Sequence, residues 1–209
     1  KEMKQLCPAI FALLLSACSI NNMATKAVAD ALSSSSSNSF AQDDDLELVG
    51  QALPFAIKMY ETILASNPDH IPLNATVGSI SIMYANAFIE HPANKLLDSS
   101  PQQARAGLLR AKKFYLRGLA YLERAMNLRL PGWQEIKADK NATDRALAKL
   151  KPKDSDLLYW YSAGLLSAWA IDPMDISLGL RLPEAKALLK RAEVLVREAG
   201  PKEDTAIDE

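Results

Sequence analysis

Cysteine is scarce here, two residues in 209, and its placement makes it scarcer. Cys7 lies within an apolar N-terminal run, Cys18 closes that run, and no cysteine follows. The body of the chain is therefore without disulfides, thiolate zinc sites or cysteine nucleophiles, and packing alone must hold it. Histidine is as rare: His70 and His91 stand alone in proline-flanked stretches. With no second imidazole at helical spacing no zinc site is expected. With no G-x-S-x-G elbow no serine triad is expected. Walker and Rossmann glycine patterns are missing as well, so no catalytic residue, metal or cofactor is assigned and the chain reads as a non-enzyme. Charge of one sign is lacking too, with 24 basic against 25 acidic residues. No basic patch is interleaved with aromatics, which excludes a nucleic-acid partner. Long apolar runs are absent: the stretch Leu6 to Leu15 has about half the ~20 residues a spanning helix needs. There is no alternating β pattern and no Asn-Gly hairpin signal. What remains is helix, and the fold class expected is all-α.

The N-terminal run has a definite order. Lys4 gives a positive n-region, Leu6 to Leu15 an apolar h-region, and Leu15-Ser16-Ala17-Cys18 has the form of a bacterial lipobox. In such a box the cysteine thiol takes a diacylglycerol, the peptide is cut before it, and the new amine is acylated. Residues 1–17 then form a signal peptide and Cys18 is the lipid attachment. Three acyl chains exceed the two signals that stable anchoring takes, at about 0.8 kcal/mol per buried methylene. Serine rather than aspartate after Cys18 points to a periplasmic protein carried to the outer membrane.

Residues 18–45 read as the lipidated cysteine and a Ser-rich tether. Ala24 to Leu32 is suited to a short helix, while Ser33 to Ser37, with Asn38 and Ser39, cannot bury a core. Fully flexible, a stretch of ~25 residues spans roughly 25–30 Å root-mean-square. Asp43-Asp44-Asp45 reads as an N-cap with acidic first-turn company. Residues 46–209 form the helical domain. Its helices are expected over Leu46 to Ser66 (kinked by, or starting at, Pro54), Leu73 to Glu90, Pro101 to Leu128, Asn141 to Leu150, Asp154 to Ile171 and Pro183 to Ala199. They are punctuated by Asn67-Pro68-Asp69, His91-Pro92, Leu130-Pro131-Gly132 and Gly200-Pro201. The second is apolar nearly all round and should be central.

A period near 34 residues is present in degenerate form. Ala56, Tyr60, Ile63 and Pro68 have the spacing of a tetratricopeptide second helix, and Gly78 falls where the next first helix wants a small residue. Trp160, Ala163 and Gly164 match the first-helix signature, and Ala185, Leu189 and Ala192 the second. Between Gly164 and Ala185 the spacing is about nine residues too long, filled by Asp172 to Arg181. The expected architecture is antiparallel helix pairs of degenerate tetratricopeptide type forming a superhelical bundle, with small residues at close approaches.

Longer stretches carry a resemblance. They are Ala29-Asp30-Ala31-Leu32 with the serine run, Phe40-Ala41 and the three aspartates; Ala52-Leu53-Pro54-Phe55-Ala56; Pro68-Asp69-His70; and Tyr84-Ala85-Asn86-Ala87-Phe88. Ala111 to Gly118, Leu158 to Trp169 and Ala185 to Leu195 continue them in order. The chain resembles the TatT family, the T-components of TRAP transporters. The resemblance implies a periplasmic lipoprotein with cryptic tetratricopeptide motifs that forms a homotrimer and pairs with a TRAP solute-binding P-component. It also implies a channel and a concave face suited to an apolar or organic-acid ligand. The family pattern continues beyond Ala206-Ile207-Asp208-Glu209, so a last repeat pair and its cap are expected to be missing.

The residues themselves offer one binding candidate. Arg110, Arg117 and Arg124 recur every seven residues on the long helix and share a face, with Lys113 at its edge and Lys112 pointing elsewhere. They read either as a solvated basic face or as guanidinium groups set to meet a carboxylate ligand or an acidic partner surface. The competing functional reading is a lipoprotein scaffold for outer-membrane or cell-wall assembly, its concave face holding an extended peptide.

Overall fold

The computed structural model describes residues 25–33, 40 and 42–200; the expected signal peptide, Cys18 and the serine run after Ser33 lie outside them. Every regular element among the described residues is a helix: α1 over residues 25–33, α2 (Leu46–Ser66), α3 (Ile71–Tyr84), a π turn (Ala85–Glu90), α4 (His91–Asn94), α5 (Pro101–Arg129), α6 (Trp133–Ile136), α7 (Lys140–Leu147), a 3₁₀ turn (Pro152–Asp154), α8 (Ser155–Ile171), α9 (Ile176–Gly179) and α10 (Leu182–Ala199). None is long and apolar enough to cross a membrane.

Local chemistry sets most of the ends. Asp45 caps α2, its Oδ1 accepting from the Leu48 N–H at 3.0 Å, as the acidic triplet suggests. α2 begins at Leu46 and runs through Pro54 without interruption. Asn74 locks the turn after α2, donating from Nδ2 to the carbonyls of Pro68 and His70 at 3.0 Å each. Gly132, at φ +80°, reverses the chain after α5 in a conformation that favours glycine. His91-Pro92 does not end the second long helix. The chain loosens to an i→i+5 register over Ala85–Glu90 and continues helical to Asn94. A proline lacks the N–H for the i−4 bond and its ring crowds that carbonyl; a π register is one way a helix absorbs both.

From Leu73 through Tyr84 every residue of α3 but the half-buried Ala75 and Met83 is buried, and the helix packs against α2, α5 and α8. α3 and α5 run antiparallel at very close range. A Cβ built on Gly78 would stand 2.9 Å from the Gly118 carbonyl oxygen, and one on Gly118 would stand 2.8 Å from the Gly78 carbonyl. A Cβ on Gly164 of α8 would lie 2.6 Å from Ile82 Cδ1, so glycine also sets the third helix against the first two. Around this crossing Leu73, Val77, Ile80, Tyr115, Leu122, Tyr161 and Leu165 form part of one continuous core. α10 lies over α8, and the residues that lengthen the repeat spacing fold into α9. Lys112 of α5 pins that segment, donating to Asp172 and Asp175 at 2.8 Å each.

Gly118→Ala is expected to cost about 2 kcal/mol, overpacking against a backbone carbonyl exceeding the helix-propensity gain. That is a fall in Tm of about 5 °C for a chain of this size. Gly179→Ala, whose Cβ would meet Trp169 Nε1 at 3.8 Å, is expected to leave Tm unchanged. Thermal melts by circular dichroism check both.

Candidate functional site

Five residues of α3, at Ile71, Pro72, Ala75, Thr76 and Ser79, lie along one side of the helix, next to its glycine contact with α5. They floor an open pocket of about 390 Å³. Leu157 and the half-buried Trp160 of α8 supply the apolar wall, Ser33 of α1 closes one side, and Arg129, Lys153, Asp154 and Asp156 form the polar edge. The hydroxyls of the floor are turned back on their own helix. Thr76 donates to the Pro72 carbonyl and Ser79 to the Thr76 carbonyl, both at 3.0 Å. Arg129 is committed as well: its Nε and Nη2 bond the two carboxylate oxygens of Asp154 at 2.8 and 2.9 Å. The backbone N–H of Lys151 adds a third bond to that carboxylate, at 2.9 Å. Burial pushes the Asp154 carboxyl up, but Arg129 and that N–H outweigh it and hold it below the usual range. The pocket therefore presents an apolar floor with an indole wall, with the exposed Lys153 and Asp156 at the mouth. Such a lining accommodates an apolar body with a polar group directed outward.

The three arginines of the heptad do share a face of α5, and two of them are engaged within the chain. Arg117 binds Glu61 of α2 through Nε at 2.8 Å and through Nη2, and the Tyr121 hydroxyl donates to the same carboxylate oxygen at 2.9 Å. Burial raises Glu61, yet the hydrogen bonds from Arg117, Lys58 and Tyr121 prevail and lower it. Arg124 meets Asp69 at 3.2 Å with both side chains exposed, a pair of little energetic weight. Arg110 is exposed and lies 5.4 Å from the centre of the Phe114 ring, which also faces Tyr84.

Neither histidine gathers a catalytic set. His70 is the N-cap of α3 and His91 is exposed in α4. Periodicity gave no hint of a polar cluster that joins α5, α6, α8 and α10. The buried Tyr161 hydroxyl donates to Glu184 at 2.7 Å and accepts from Trp133 Nε1 at 3.3 Å and Arg181 Nη2 at 2.9 Å. Arg181 also binds Glu123, and Lys137 stands 3.5 Å from Glu123 and 3.7 Å from Glu184. Burial and the two carboxylates push the Tyr161 phenol far up, so it stays a neutral donor. The members lie far apart in sequence, so only the fold could reveal them.

Asp154→Ala is expected to destabilise the chain by about 2 kcal/mol, because it strands Arg129 and removes the cap of the 3₁₀ turn. The same group fixes a pH dependence. A carboxyl lowered by folding contributes stability that is fully present above its unfolded pKa of about 4, and that is lost as pH falls through the lower folded value. Urea midpoints measured from pH 6 to pH 2 should fall below pH 4 in the unaltered chain, and less steeply in Asp154→Ala.

The sequence matches the model of the TRAP transporter T-component family over residues 42–197, which takes in α2 through most of α10. A protein of Treponema pallidum (strain Nichols), described as an uncharacterized protein, is 34% identical over 155 residues, covering 73% of this chain and 48% of that one. The chain thus spans about half the length of the curated relative it matches. The family is a transporter component rather than an enzyme family. The resemblance carried by the sequence stretches and the match across the helical body agree: the chain belongs to the TRAP transporter T-component family.

Proposed function

We propose that this chain is a lipid-anchored periplasmic accessory protein of a TRAP-type uptake system, one that docks the solute-binding protein and holds a small, largely apolar organic ligand during its transfer. The observation that carries the reading is the family match over residues 42–197 on a helical body that keeps the Ile71/Trp160 pocket open. The glycine crossings of α3, α5 and α8 are consistent with degenerate tetratricopeptide pairs. Lipid attachment at Cys18, delivery to the outer membrane and assembly as a homotrimer belong to the same reading.

The docking surface we assign is the exposed side of α5. Arg110 and Arg124 can turn toward acidic groups of a partner, since neither is held by a strong internal pair. Arg117, fixed by Glu61, supports the surface between them. Charges at a rim set association rate and salt dependence more than final affinity.

The test is binding of the purified chain to a TRAP solute-binding protein, taken from the neighbouring reading frame where that frame encodes one. The double variant Arg110→Glu/Arg124→Glu should bind about tenfold more weakly at low salt, with the gap shrinking near 0.5 M salt as screening shortens to a few ångströms. Trp160→Ala should leave docking intact and abolish ligand-dependent change in the pocket. No binding of the solute-binding protein, with crosslinking to outer-membrane assembly factors instead, would favour the scaffold reading.

A further inference from the structure

α1 ties the stretch before residue 46 to the body. Ala29 is 0% exposed and belongs to the main core, against which Leu32 and, past the serine run, Phe40 also pack. Asp30 Oδ1 lies 2.8 Å from Nε2 of His70, an imidazole only 7% exposed. The other ring nitrogen, Nδ1, accepts from the Leu73 N–H at 3.1 Å, so Nε2 carries the proton and donates to Asp30. The ring is held from both sides, and α1 with it. Ser33 of α1 forms part of the wall of the Ile71/Trp160 pocket.

We propose that α1 is a clasp that holds the pocket face close to a phospholipid surface. The proposal rests on lipid attachment at Cys18. With α1 docked, the tether is only what lies between Cys18 and Thr25. Whatever conformation those residues take, they reach at most about 25 Å. α1 adds about 13 Å, so the pocket wall at Ser33 lies within about 40 Å of the acylated residue. A stretch free from Cys18 to Asp45 would reach over about 90 Å when extended. The clasp therefore keeps the pocket within about 40 Å of the acylated residue, where a free stretch would let the body range far from the bilayer.

The experiment uses the full chain, lipidated in a bacterial host, with mass spectrometry of the N-terminal peptide reporting lipid on Cys18. It is placed on phosphatidylethanolamine/phosphatidylglycerol vesicles carrying a headgroup nitroxide, with a dye attached through an alkynyl-lysine at position 153. A Gly/Ser segment of about 15 residues is inserted before Thr25. If α1 is a clasp, the root-mean-square tether length rises from about 13 to about 25 Å, and quenching of the dye falls at least threefold. If the stretch is free, the length rises only from about 29 to about 36 Å and quenching hardly changes. Ala29→Asp, which undocks α1 by burying a charge, should reproduce the fall without any insertion. Should that variant lose its helical circular dichroism, the insertion, which leaves the core untouched, decides. Unchanged quenching on insertion overturns the proposal. A bare Cys18 in the mass spectrum would sink the anchoring reading instead; the Cys7→Ser chain coupled at Cys18 to a maleimide phospholipid then puts the clasp to the same comparison.

Discussion

The near contact of two backbones, at Gly78 on α3 and Gly118 on α5, is the constraint on which the rest depends. A Cβ on either glycine would clash with the other's carbonyl oxygen, so the axes come closer than any side chain at these positions would permit. That approach lets α3 sit at the centre, packed against α2, α5 and α8. Beside this crossing the residues from Ile71 to Ser79 floor the pocket, with the end of α5 supplying Arg129 to its edge.

A body without disulfides is braced by charge instead. Lys112 to Asp172 and Asp175, Arg117 to Glu61, Arg129 to Asp154 and Arg181 to Glu123 each join elements well separated in sequence. Arg191 adds a brace of another kind, donating to the carbonyls of Leu147 and Leu150 where α7 ends. Most of these groups are half-buried, where screening is weaker than at the surface and a lost partner costs more than a made pair contributes. The consequence for function is that α5, the longest helix, is fixed to its neighbours on several sides, and a partner meeting its outer face meets a rigid surface.

How much of this was legible beforehand depends on the range of the cause. Helix ends set by local chemistry, at Asp45, Asn67-Pro68-Asp69, Pro101 and Pro131-Gly132, fall where expected because cap, proline and glycine act within a turn. Gly78 and Gly164 were legible as close-approach positions from their repeat spacing. The passage through His91-Pro92 was not, since whether proline stops a helix or is absorbed by a π turn depends on what packs around it. The heptad of arginines was legible as a shared face, but Glu61 and Asp69, which engage Arg117 and Arg124, lie more than fifty residues away. For the same reason the pocket, assembled from α1, α3, the end of α5 and α8, left no local trace. The family was legible because many modest stretches occur in the right order.

The π turn at Ala85–Glu90 also bears on how α3 is used. A π turn is equivalent to one residue inserted into an α-helix, and each residue turns the helix by about 100°. The positions before and after it are therefore out of phase. Upstream, α3 addresses the pocket and the glycine crossing. Downstream, Glu90 meets Tyr115 and Ala93 meets Gly107 on a face that an unbroken α register would have turned elsewhere. One added residue acts as a phase shifter, and sets which residues the rod turns toward α5 beyond the glycine crossing, at Tyr115 and Gly107.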